Sequence, residues 1–135
     1  MSRETILIDT SAWIPSFRKA GNAELKAFLI SSIRAGTAAT APMIILELLQ
    51  GCRTEEERDG LRDKLESIIV LGIGSPEWEQ AYQLGSTLRR EGLTVPTADL
   101  LIAAIAIENR CILVHMDRHF ELIAGKSKLQ TRAFG

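Results

Sequence analysis

Short apolar runs rich in β-branched residues alternate with longer stretches of helical periodicity along almost the whole sequence. Parallel strands need a long crossover connection, usually a helix, whereas antiparallel strands can be joined by a tight turn. This alternation therefore predicts an α/β fold, a three-layer α/β/α arrangement with a mostly parallel central sheet of four to five strands. The predicted strands lie at residues 5–8, 37–41, 68–71 and 111–115, with a candidate edge strand at 129–132.

Residues that start and stop helices lie between these strands. Ser11, Asn22 and Thr97 are predicted N-caps, because their side-chain oxygens can accept free amide hydrogens of a first turn. Pro42 suits the first position of a helix, and Gly36 suits the position just beyond the end of one. With 135 residues, we expect residues 1–135 to form one domain.

Composition limits the classes of function. The net charge of −1 is too small for a protein that binds nucleic acid through a global positive field. The longest apolar run, residues 100–107, is too short to cross a bilayer, so we expect no membrane association and a cytoplasmic location. The two cysteines have no partners at zinc spacing and are expected to be reduced thiols.

Four acidic residues lie inside apolar sequence rather than in charged stretches: Asp9, Glu47, Asp99 and Asp117. Each has an ordinary explanation when taken alone. Asp9 and Asp117 follow predicted strands and could cap the next helix. Asp99 lies in the first turn of a predicted helix, where its negative charge could interact favourably with the helix dipole. Glu47 lies in a helix that is apolar all round and hence expected to be buried, unless it faces a slot open to solvent.

Together, the four acids indicate a metal site. Two follow strands and two lie on helices expected to pack against the sheet, so all can converge at the carboxyl ends of the strands, where such folds bind ligands. Converging carboxylates repel one another, and a divalent cation relieves the repulsion. Hard oxygen ligands select Mg²⁺ or Mn²⁺, and such a site can hydrolyse a phosphodiester.

The same residues resemble the PIN-domain family, and in particular its VapC-like ribonuclease toxins. The resemblance is carried by Asp9-Thr10-Ser11-Ala12-Trp13, Glu47, Thr97-Ala98-Asp99 and Asp117-Arg118-His119-Phe120, in that order. It implies a Mg²⁺- or Mn²⁺-dependent endoribonuclease in which Asp9, Glu47 and Asp99 hold a catalytic metal. Asp117 would complete the acidic pocket or serve a second ion, and Thr10, Ser11 and Thr97 would orient carboxylates or water.

The resemblance also implies partners and substrate contacts. VapC-like toxins are inhibited by a small antitoxin and commonly form homodimers, and Trp13, Phe17, Trp78 and Tyr82 are candidate contact residues. Arg118 and His119 are candidate contacts to RNA phosphates. His119 also marks a departure, because some family members carry a further acid at this position. The alternative function is a catalytically inactive PIN-like scaffold that only binds a partner.

Overall fold

The computed structural model describes residues 4–135. The order of elements alternates strands and helices, with two successive helices after β1 and again after β2, and also between β3 and β4. The strands are β1 (Ile6–Ile8), β2 (Ala38–Thr40), β3 (Ile69–Val70), β4 (Ile112–His115) and β5 (Gln130–Ala133). The helices are α1 (Thr10–Ser16), α2 (Ala23–Ala35), α3 (Pro42–Gln50), α4 (Glu55–Leu65), α5 (Ser75–Arg90), α6 (Thr97–Glu108) and α7 (Arg118–Ala124).

The strands form one five-stranded sheet in the order β3-β2-β1-β4-β5. Every pairing is parallel, as in the register of Ile8 with Val114 and of Thr40 with Val70. The predicted α/β/α fold with a parallel sheet is confirmed, and the candidate edge strand is the fifth parallel strand. β1 and β4 lie side by side at the centre, so their carboxyl ends meet at one edge of the sheet.

The burial of each strand follows from its position in the sheet. β1 at the centre is wholly buried, whereas both residues of the edge strand β3 are exposed. α6 buries six consecutive residues, from Leu101 to Ala106, as expected for a helix that is apolar on all sides. It packs against α5 and also contacts β4 and α7. The start of α6 is thereby held close to the end of β4.

Two predicted caps are wrong and two are right. Asp9, not Ser11, caps α1, because its carboxylate accepts the Ser11 N–H. α6 begins after Pro96 without any side-chain cap bond, so Thr97 is its first residue rather than its N-cap. Asn22 caps α2, and Gly36 ends it with a φ of 75°.

Two expectations about burial are also corrected. α3 is not buried all round, because it lies beside the sheet with one side open and Leu46 is 60% exposed. Trp13, a candidate partner contact, is buried in the core, while Phe17, Trp78 and Tyr82 are exposed. Within residues 4–135, no helix combines the length and the apolar character needed to cross a membrane.

Candidate metal centre

Asp9 lies at the carboxyl end of β1, where the chain turns into α1. Its carboxylate is buried and accepts hydrogen bonds from the Ser11 N–H at 2.9 Å and from the Ser11 hydroxyl at 2.6 Å. Ser11 Oγ in turn accepts the Met116 N–H at 3.0 Å, from the end of β4. Ser11 therefore fixes the Asp9 carboxylate and also joins the ends of the two central strands.

Glu47 reaches the same edge from α3. It is partly buried, and its Oε1 accepts a hydrogen bond of 2.8 Å from the Thr10 hydroxyl. Thr10 and Ser11 are adjacent in the first turn of α1, so one turn of helix holds both Asp9 and Glu47. The slot open to solvent that was considered for Glu47 agrees with its partial burial.

Asp99, Asp117 and His119 form the tightest cluster. One ligand atom from each lies within 4.8 Å of the others. His119 Nδ1 is 3.0 Å from Asp117 Oδ1 and 3.3 Å from Asp99 Oδ2. Asp117 caps α7, and its Oδ1 accepts the His119 N–H at 2.9 Å. Asp99 approaches from the first turn of α6.

Electrostatics link this cluster to the other two acids. Burial is the largest of the effects that together raise the pKa of Asp99 from 3.8 to about 6. The charges of Asp117, Asp9 and Glu47 act in the same direction, and His119 opposes them. Asp9 and Glu47 lie outside the 4.8 Å cluster but close enough to act on Asp99. The four carboxylates are therefore close enough for the charges of Asp9, Glu47 and Asp117 to act on Asp99.

The donor set fits a divalent cation. Asp99 Oδ2 and His119 Nδ1 are buried atoms that have no hydrogen-bond partner within residues 4–135. Buried polar atoms are almost always hydrogen-bonded in proteins, so these two atoms, which contact each other at 3.3 Å without hydrogen-bond geometry, require an explanation. A bound cation with carboxylate ligands would supply it. Asp99, Asp117, Asp9 and Glu47 are the residues that could hold the ion.

The remaining candidate residues lie around this pocket. Arg118 is exposed at the start of α7, next to the cluster and free to reach into solvent. Thr97 is exposed two residues before Asp99.

His115 and Glu121 form a second polar layer that the sequence analysis missed. His115 is 1% exposed, and its Nδ1 accepts the Asp117 N–H at 3.1 Å. Its Nε2 lies 2.8 Å from Glu121 Oε2, which also accepts a 2.7 Å bond from Thr131. The Thr131 and His115 hydrogen bonds lower the pKa of Glu121. A histidine ending an otherwise apolar strand was the available signal.

Comparison with known proteins agrees with this architecture. A sequence profile described as the PIN domain matches residues 6–126. The chain belongs to the PIN-domain family.

Relatives of this PIN domain are similar over nearly their whole length. Ribonuclease VapC11 of Mycobacterium tuberculosis (strain ATCC 25618 / H37Rv) is 33% identical over 132 residues, which is 96% of this chain and 98% of the relative. VapC ribonuclease Mb1587 of Mycobacterium bovis has the same identity and coverage. In the crystal structure of VapBC2 from Rickettsia felis bound to a promoter DNA fragment, a chain 18% identical has a TM-score of 0.82, covering 97% of this chain and 99% of that one.

Proposed function

We propose that this PIN domain is a metal-dependent endoribonuclease that cleaves RNA phosphodiester bonds, and that it is the toxin of a toxin–antitoxin pair. The observation that carries the proposal is the acidic cluster in which one ligand atom each of Asp99, Asp117 and His119 lies within 4.8 Å of the others. The charges of Asp9 and Glu47 also act on Asp99. Relatives 33% identical over nearly the whole chain are named ribonucleases. The family and the pocket support the same function independently.

In this proposal, Asp9, Glu47, Asp99 and Asp117 hold Mg²⁺ or Mn²⁺. When bound, such an ion supplies positive charge opposite the scissile phosphate and makes water a better nucleophile. The side chains of the protein orient the carboxylates that would hold the ion. Ser11 and Thr10 hold Asp9 and Glu47 in fixed orientations through hydrogen bonds of 2.6 and 2.8 Å.

RNA must be attracted locally, since the net charge of the chain is −1. In this proposal Arg118, which is exposed next to Asp117 in the sequence, contacts an RNA phosphate. Thr97, exposed at the start of α6, is proposed to orient a carboxylate or water near Asp99.

The test of catalysis is Asp99→Asn, with Asp63→Asn as the matched control. Asp63 is exposed on α4 and undergoes the same chemical change outside the pocket. We expect Asp99→Asn to reduce the rate of RNA cleavage in Mg²⁺ or Mn²⁺ by at least about 100-fold, since losing the stabilisation of charge in a transition state costs that much. Asp63→Asn should cleave at the wild-type rate.

Circular dichroism should show that both variants fold. A folded Asp99→Asn protein with full activity would refute the assigned site. A wild-type protein without nuclease activity on any RNA in either metal would instead favour the inactive scaffold that binds only a partner.

The proposed partner is a small antitoxin protein, with a homodimer as the proposed state of the toxin. A groove between α1, α2 and α4 offers an apolar surface for such a partner. Phe17 and Ile30 in this groove are each 50% exposed. Trp78 and Tyr82 form a separate exposed aromatic pair on α5, with ring centroids 6.4 Å apart.

A further inference from the structure

The imidazole of His119 is directed into the acidic cluster rather than away from the protein. Its Nδ1 lies 3.0 Å from Asp117 Oδ1 and 3.3 Å from Asp99 Oδ2, although a third of the side chain remains exposed. The position is fixed from the backbone, because the His119 N–H donates to the same Oδ1 of Asp117. The ring and the Asp117 carboxylate are thus held together by the first turn of α7.

The Nδ1 atom is the part of the ring that is unexplained. It is buried and, within residues 4–135, has no hydrogen-bond partner, and the same holds for Asp99 Oδ2. A ring nitrogen that lies 3.0 and 3.3 Å from two carboxylate oxygens, without hydrogen-bond geometry to either, has the placement of a ligand that shares a cation with them.

We propose that His119 contributes Nδ1 as a nitrogen ligand to the metal held by Asp99 and Asp117, and that this ligand favours Mn²⁺ over Mg²⁺. The role of His119 rests on the proposed function of the pocket. Mg²⁺ prefers a shell made only of oxygen atoms and keeps several waters. Transition metals accept imidazole nitrogen, so replacing one oxygen ligand by nitrogen weakens Mg²⁺ more than Mn²⁺.

The competing role for His119 is a counter-charge that occupies the pocket without metal. A protonated ring between Asp99 and Asp117 would offset their repulsion and would have to leave when an ion binds. Its removal would then strengthen the binding of both ions. The two roles predict opposite changes in affinity, which makes them separable.

His119→Gln removes the ring, and Arg118→Gln is the matched control, since it removes an exposed charge from the adjacent position. Calorimetric titration should give dissociation constants for Mn²⁺ and Mg²⁺ with each protein. We expect His119→Gln to weaken Mn²⁺ binding by about tenfold, or roughly 1.4 kcal/mol. Mg²⁺ binding should change much less, and Arg118→Gln should keep the wild-type preference for Mn²⁺.

A spectroscopic experiment tests the bond itself. The chain has two histidines, and both ring nitrogens of His115 are already engaged by Asp117 and Glu121. With ¹⁵N-histidine, electron spin-echo spectra of the Mn²⁺ protein should show a directly bonded nitrogen. That signal should persist in His115→Gln and vanish in His119→Gln.

The outcomes separate the two proposals. If the wild-type protein binds neither ion, the metal-dependent function fails. If it binds Mn²⁺ but shows no nitrogen coupling, or if both affinities fall equally or rise in His119→Gln, only the ligand role of His119 is overturned.

Discussion

Asp99 is the acidic residue whose ionisation is opposed both by burial and by the charges of the neighbouring carboxylates. Its pKa of about 6 in the folded state exceeds 3.8, so between these pH values the folded protein binds more protons than the unfolded chain. Stability from this group therefore falls as pH rises through that window, and the loss is complete above about pH 6.

Asp99→Asn should remove this loss in the absence of metal. In EDTA above pH 6 we expect the variant to be more stable than wild type, by up to roughly 3 kcal/mol at 1.36 kcal/mol per pKa unit. The difference should shrink toward pH 4 and disappear below about pH 3, where Asp99 is protonated in both the folded and the unfolded state. Urea unfolding from pH 4 to pH 8 measures it. A variant less stable than wild type at neutral pH would mean that Asp99 has a stabilising partner instead.

His115 acts on the pocket through the backbone of Asp117. A backbone N–H can only donate, so Nδ1 of His115 must be unprotonated and Nε2 must carry the hydrogen given to Glu121. His115→Phe keeps a ring against Phe120 but leaves the buried Asp117 N–H without its acceptor. We expect it to cost about 1–3 kcal/mol of stability and to weaken metal binding about tenfold.

Glu121→Gln is the control for this positioning role. Its amide oxygen can still accept from His115 and Thr131, so stability and metal affinity should stay close to wild type. If His115→Phe lowers stability while metal affinity is unchanged, His115 holds only the fold and not the pocket.

At the scale of elements, two glycines in helical surroundings have opposite roles. Gly36 ends α2 with a φ of 75°, and a Cβ built there meets nothing within 4 Å. Gly60 lies inside α4, where a Cβ also meets nothing. Only backbone effects therefore distinguish the two alanine substitutions.

Gly36→Ala should destabilise the protein by about 1–2 kcal/mol, because an L-residue is strained at positive φ. Gly60→Ala should stabilise it by roughly 0.5–1 kcal/mol, because alanine restricts the unfolded chain and favours a helix. Urea unfolding of both variants gives the two signs. A stabilising Gly36→Ala would contradict the left-handed end of α2.

The sequence predicted most elements because the periodicity of apolar residues agreed with the positions of residues that start or stop helices. β1 lies where the apolar run at residues 5–8 predicts a strand, and α3 begins at Pro42 as predicted. The caps of α1 and α6 were wrong because neighbouring residues compete for a cap, and only the local backbone decides between Asp9 and Ser11. Convergence of the four acids followed from topology, whereas the inward turn of His119 depends on side-chain packing that no sequence pattern records.

At the scale of the whole molecule, the apolar groove between α1, α2 and α4 is the proposed binding surface for the antitoxin. Phe17→Ser should weaken binding of the cognate antitoxin, predicted to be encoded by a short adjacent open reading frame, by about tenfold or more, since burying an aromatic ring contributes roughly 1.5–3 kcal/mol. Leu122→Ser, which changes an exposed apolar residue on α7, is the control. Co-purification and relief of growth arrest on co-expression are the measurements. If the antitoxin binds both variants equally, its binding surface lies elsewhere on the protein.

The two central strands of the sheet come from opposite ends of the chain. The Ser11 to Met116 hydrogen bond closes a gap of 105 residues, and Asp117 follows directly. A chain still being translated contains Asp9, Glu47 and Asp99 before β4 exists to complete the centre of the sheet. The unfinished polypeptide is thus expected to be harmless to the messenger and ribosome that are making it. Nuclease activity is expected to appear only once β4 and Asp117 have been synthesised and β4 has paired with β1.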